Sequence, residues 1–245
     1  MVHGVRNVEK DSEILVICGD AFVYRFADQL NVLAQSNDKA IVYSVQAGLS
    51  GAKNGFTHQS SGQSGAVLTM PGIKFYEPSS KQDWFYVMNK SFNEPGLKFI
   101  RTHKLEAPFD FGGFNSNDCY SINFKEEADC TIVSNGMTLE SAINASEDLY
   151  ESDKIKARVV NVLNVTHPDG ISNAVEKGKP LFVVYNGPPK ILGYPLYQEL
   201  IKSKNLPSKT LEKGFEIGAT GSVKDIMSYF GLDSNGIYKW VKNNL

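Results

Sequence analysis

The stretch Ile14-Leu-Val-Ile-Cys-Gly-Asp-Ala-Phe-Val-Tyr-Arg-Phe-Ala-Asp-Gln-Leu-Asn-Val-Leu-Ala-Gln-Ser-Asn-Asp-Lys-Ala-Ile-Val-Tyr-Ser-Val45 decides the fold. Residues 14–18 and 40–45 are short apolar runs, and each reads as a strand buried on both faces. Between them Ala21, Phe22, Phe26, Leu30 and Leu33 recur mostly three and four apart, which predicts a helix over 20–35 with one apolar stripe. Strand, helix, strand is the repeating unit of a parallel α/β sheet.

The rhythm continues outward. Residues 73–76 predict a strand that stops before Pro78, because proline disfavours helical backbone at its predecessor and ends the extended run. Ser80 and Asp83 have capping-box spacing and open a helix bearing Trp84, Phe85, Val87 and Met88, which read as core. Residues 98–101 predict the next strand, and 106–123 an irregular connector rich in Gly, Asn and Ser. Beyond it come strands at 130–134, 157–163 and 180–185 with helices at 138–152 and 191–202, then a last short strand at 215–217. A helix over 222–230 closes on Gly231, and Ser234 caps a final helix carrying Ile237, Trp240 and Val241. The fold class is therefore α/β, two consecutive three-layer α/β/α domains with mainly parallel sheets. Residues 1–110 form a first, partial domain, 111–128 a connector and 129–245 a second domain.

Of 245 residues 42% are hydrophobic, and 25 Lys+Arg against 27 Asp+Glu leave a formal charge of −2. Neither a phosphate backbone nor an anionic membrane finds a basic patch to bind, so no nucleic acid and no membrane partner is expected. No apolar run reaches the roughly 20 residues of a membrane span, and residues 1–13 are polar without a signal core. The expected compartment is cytoplasmic, with Cys18, Cys119 and Cys130 as reduced thiols outside any zinc-site spacing. His103 and His167 read as solvated turn residues.

Chemistry concentrates in Gly48-Leu-Ser-Gly-Ala-Lys-Asn-Gly-Phe-Thr-His-Gln59, a glycine-rich loop after a strand. It is no phosphate loop, since Lys53 precedes Gly55, and no dinucleotide fingerprint. The segment resembles the transketolase family, whose pyrimidine-binding domain has a loop ending in Gly-x-Thr-His-Gln, here Gly55 to Gln59. Phe22, Arg25, Asp28 and Gln29 resemble that family's Phe-x-x-Arg-x-x-Asp-Gln helix, Met70-Pro71-Gly72-Ile73 its Ile-Pro-Gly stretch, and Phe99-Ile100-Arg101 its strand ending in arginine. Asn135-Gly136, Lys156 to Val160 and Gly218 to Ser222 are similar to its C-terminal domain.

The resemblance implies transfer of a two-carbon ketol unit between sugar phosphates or related carbonyl substrates, with thiamine diphosphate and Mg2+ as cofactors. His58 matches the loop histidine that contacts the donor hydroxyl and reacting oxygen and is the implied catalytic residue. Phe22 matches the aromatic under the aminopyrimidine ring, with Arg25 beside it on the cofactor side. Arg101 matches the arginine that holds the acceptor phosphate. Gln46 and Asn54 stand at substrate-binding positions where the family has histidine and aspartate, and Gly19 replaces a cofactor-packing aromatic.

The family's activating glutamate segment has no match before residue 14, and the magnesium-binding Gly-Asp-Gly motif is represented only by Gly19-Asp20. The implied partner is an N-terminal transketolase-like subunit that supplies the diphosphate-binding domain, that glutamate and the metal ligands, in an assembly dimerising through both domains. Two alternatives stay open: a non-catalytic transketolase-like assembly or regulatory module, and a subunit of a 2-oxo-acid dehydrogenase or deoxyxylulose-phosphate synthase-like enzyme, suggested by Gln46-Ala47-Gly48-Leu49.

Overall fold

The computed structural model describes residues 14–36, 38–103 and 117–245. Four parallel strands form the first sheet in the order β1-β2-β4-β3: β1 Ile14–Gly19, β2 Ala40–Val45, β3 Lys74–Tyr76 and β4 Leu97–Arg101. Side chains alternate across it as the pleat requires. Ala40, Val42, Phe75 and Phe99 pack with Leu30 and Leu33 of helix α1 (Ala27–Ser36), whereas Ile41, Tyr76 and Ile100 pack with Val87 of helix α2 (Lys81–Asn93). Helices on both faces make three layers.

The second sheet has the order β5-β7-β6-β8-β9: β5 Cys119–Ser121, β6 Cys130–Ser134, β7 Ala157–Val162, β8 Leu181–Val184 and β9 Thr210–Lys213. All its pairings are parallel except β5 against β7. Strands β6, β7 and β8 are buried along their whole length, as parallel strands covered on both faces must be. Helix α3 (Thr138–Asp153), helix α6 (Val223–Tyr229) and helix α7 (Ser234–Lys242) cover one face; helix α4 (Ile171–Ala174) and helix α5 (Lys190–Lys202) cover the other. Among the described residues no helix is long and apolar enough to cross a membrane.

Several local expectations change. Residues 20–35 are not one α-helix: Asp20–Phe26 is a 3-10 segment that runs into α1. The last strand is β9, not residues 215–217, and part of the anticipated connector is β5. The cap of α7 is Asp233, whose side chain accepts from the Gly236 amide, one residue before the expected Ser234. The anticipated domain boundary at 110–111 lies outside the described residues. The capping box of α2 is present in both halves, Ser80 accepting from the Asp83 amide and Asp83 from the Ser80 amide.

The two sheets are stitched together. One core cluster contains Val42, Phe75 and Phe99 from the first sheet and Val133, Val160 and Val183 from the second. Backbone bonds join them directly, Glu77 N to Leu163 O at 2.8 Å and Val165 N to Phe75 O at 2.7 Å. Asp83 also reaches across, accepting from Tyr120 Oη at 2.8 Å and Asn161 Nδ2 at 3.1 Å. Gly136 sits in the seam with φ +54°, where an added Cβ would lie 2.5 Å from Glu77 Oε1 and closer still to His103 Nε2. Gly178 has a similar φ of +73° with nothing within 4 Å. Gly136→Ala is therefore expected to cost about 1–3 kcal/mol more in denaturant unfolding than Gly178→Ala, the overlap adding to a shared backbone strain. Equal losses would contradict the close packing of the seam.

Candidate functional site

Parallel sheets place ligands beyond the carboxyl ends of their strands, and the loop from residue 46 to residue 59 leaves the carboxyl end of β2. Gln46 takes φ 62° there, and the chain then coils through two 3-10 turns, Gly48–Asn54 and Phe56–His58. Leu49 and Ala52 are buried in the core beneath α3 and α6, so the second sheet's layer holds the first sheet's loop. Gln59 fastens its far end: Nε2 donates to Ala219 O at 2.5 Å and Ala52 O at 3.4 Å.

At the neighbouring end of β1 the Asp20–Phe26 segment presents Phe22, whose ring meets the His58 ring edge-to-face with centroids 5.4 Å apart and planes at 76°. The Arg25 guanidinium lies over the same ring, 4.4 Å from its centroid. A Cβ on Gly19 would come within 3.0 Å of the Phe22 ring, so glycine at this position leaves the room Phe22 uses. His58 Nδ1 stands 3.0 Å from Thr57 Oγ1, and His58 is partly exposed. The structure thus brings together Phe22, Arg25 and His58, with Asn54 exposed on the adjoining turn.

Arg101 is placed otherwise. Its side chain, at the carboxyl end of β4, has no exposure at all. Nε donates to Asp20 Oδ2 at 2.8 Å, Nη1 to Glu77 Oε1 and Oε2 at 2.8 and 3.0 Å and to Tyr185 Oη at 3.0 Å, and Nη2 to Asn186 O at 2.9 Å. Tyr185 donates in turn to Glu77 Oε2 at 2.9 Å. The anticipated phosphate-holding guanidinium is spent on protein partners in this structure, because two carboxylates reach it from inside. Asp20, whose pairing with Gly19 is too little of the magnesium motif to read as a metal site, pairs with Arg101 and accepts from Ser44 Oγ at 2.8 Å.

Sequence reasoning did not find Glu77, Tyr185 or Asn186, and it placed His103 in solvent. His103 is instead 9% exposed, with Nε2 3.3 Å from Glu77 Oε1 and accepting from the Met137 amide at 3.1 Å. It folds inward because Gly136 leaves space for the ring. His167 is exposed as anticipated. Burial pushes the Cys18 thiol up to about 11 and those of Cys119 and Cys130 up to about 12, so none is a thiolate near neutrality.

Burial alone would raise the Glu77 carboxyl, but the Arg101 guanidinium holds it below its ordinary 4.5. A depressed carboxyl contributes stability that is present above the unfolded pKa and lost as pH falls through the folded one. Glu77→Gln is therefore expected to cost about 3 kcal/mol near neutrality. That deficit should shrink as pH falls below about 4.5. A deficit independent of pH, followed by chemical unfolding from pH 7 to 3, would contradict the pairing.

The family model described as "Transketolase, C-terminal domain" matches residues 122–237. A curated relative, a subunit of the apulose-4-phosphate transketolase of Phocaeicola vulgatus, is 25% identical over 235 residues, covering 91% of this chain and 73% of that protein. Among solved structures, a transketolase mutant from Pichia stipitis superposes with TM-score 0.81 at 18% identity, and the transketolase from Leishmania mexicana with 0.78 at 16%. Each covers 94% of this chain, which spans 33% of their length. A structure titled "Split gene transketolase, inactive beta4 tetramer" superposes with TM-score 0.75 at 17% identity, covering 94% of this chain and 75% of that one. Residues 122–237 thus match the transketolase C-terminal domain, and the chain has the fold seen in the C-terminal part of these transketolases.

Proposed function

We propose that this chain is the C-terminal subunit of a split, thiamine diphosphate-dependent transketolase-like enzyme that moves a two-carbon ketol unit between sugar phosphates or related carbonyl substrates. The observation that carries the reading is the edge-to-face pair of Phe22 and His58, 5.4 Å apart at the carboxyl end of a parallel sheet. The relative from Phocaeicola vulgatus, itself named as one subunit of a transketolase, supports a chain that works with a second subunit.

The residues fit one side of such a site. Phe22 is partly exposed, with Arg25 over its ring, and together they offer an aromatic and cationic surface to a flat heteroaromatic ring. Among the described residues no group of three or more His, Cys, Asp or Glu side chains is placed to hold a metal ion, and the proposal assigns magnesium, diphosphate and the activating glutamate to the partner. Bound thiamine diphosphate supplies the carbanion chemistry; this chain orients and moves protons. With Thr57 on Nδ1, His58 keeps Nε2 for a substrate hydroxyl or the reacting oxygen. Gln46 and Asn54 contribute uncharged hydrogen bonds to the sugar.

The partner has a place to dock. Among the described residues β1 pairs on one side only, and on the face away from Ile14 and Val16 its Leu15 and Ile17 are 50% and 65% exposed, an open apolar face beside an unpaired edge.

In the reconstituted two-chain enzyme, His58→Ala is expected to lower kcat for ketol transfer by about 10²–10⁴ while leaving assembly intact. An unchanged rate in a verified complex would overturn the reading and favour a non-catalytic assembly module.

A further inference from the structure

We propose that Arg101 is a positioning residue that fixes the two segments bearing Phe22 and His58, and that it does not bind the acceptor's phosphate. The inference rests on the functional reading above and assigns the arginine a different task within it.

Access and charge both argue against a ligand role. The guanidinium is wholly enclosed, and its Nε, Nη1 and Nη2 each already donate to a protein oxygen. One cation faces two carboxylates, Asp20 and Glu77, so the cluster offers an approaching anion no net positive charge.

What Arg101 holds argues for positioning. Asp20 opens the 3-10 segment that carries Phe22 and Arg25, and its other oxygen accepts from Ser44, two residues before Gln46. Through Asn186 O the guanidinium also fixes the residue that grips the glycine-rich loop. Asn186 Oδ1 accepts from the Leu49 amide at 3.0 Å and Nδ2 donates to Ala47 O at 3.3 Å, with Gly48 pressed between them. One guanidinium therefore sets the start of both segments whose side chains meet at the Phe22–His58 pair.

The test compares Arg101→Lys and Asn186→Ala, the second leaving every charge in place so that it folds even if the first does not. In the two-chain enzyme, glyceraldehyde 3-phosphate and glyceraldehyde serve as acceptors. Both variants are expected to lower kcat by about tenfold or more, and equally for the two acceptors, so that the preference for phosphate is unchanged. A loss confined to the KM of the phosphorylated acceptor in Arg101→Lys would overturn the proposal.

A second readout needs no partner and no activity, so it separates this inference from the functional reading. By hydrogen exchange on the chain alone, the Leu49 amide is expected to lose about tenfold or more of its protection in both variants. Full protection of Leu49 in folded variants would likewise overturn the positioning role.

Discussion

The guanidinium of Arg101, enclosed between Asp20 and Glu77 with Tyr185 and the Asn186 carbonyl completing its shell, is the interaction on which the arrangement of the two sheets depends. Removing three charges from water costs several kcal/mol per ion, and only close geometry with further hydrogen bonds recovers it. Such a cluster tolerates few placements of its members. Those members come from the ends of β1, β4 and β8 and from the residue after β3, so their fixed separation also fixes how the carboxyl ends of the two sheets face one another. Gly48 and Gly136 permit the approach, because a side chain at either would overlap Asn186 or the Glu77–His103 pair.

That seam explains why the chemistry-bearing loop has a definite shape despite its glycines. Leu49 and Ala52 are buried against the second sheet's helices, while Asn186 and Gln59 hold the loop's two ends through hydrogen bonds. The exposed remainder, Asn54, Phe56 and Thr57 with the partly exposed His58, projects from an anchored base. Short 3-10 turns suit this task, since they change direction every few residues where a continuous α-helix would carry the loop away from the sheet.

Much of the fold was legible because buried parallel strands write themselves as apolar runs. Residues 14–18, 40–45, 130–134, 157–163 and 180–185 each match a strand to within one residue at either end, and Ser80 with Asp83 forms the capping box their spacing suggests. The misreadings have physical causes. β9, Thr-Leu-Glu-Lys, is an exposed to half-buried edge strand with no apolar run, and β5 is three residues long and exists only through pairing with β7. The Asp20–Phe26 turns carry a helical stripe but follow Asp20, which is drawn to Ser44 and Arg101. Phe22, Arg25 and His58 were singled out through the family resemblance, and in the structure the Phe22 ring touches both of the others. The partners of Arg101 were not, since Glu77 lies 24 residues away and Tyr185 84, and no local spacing records such contacts.

In the proposed function this chain forms one wall of a cofactor site completed by another subunit. Calorimetric titration of thiamine diphosphate with Mg2+ into the chain alone, and into the chain mixed with a partner that carries the diphosphate-binding domain and glutamate, tests it most directly. Saturable binding is expected in the mixture and none to the chain alone, with the mixture's affinity weakened by Phe22→Ala. Failure to bind in a verified complex, or binding in the mixture untouched by the loss of Phe22, would contradict it.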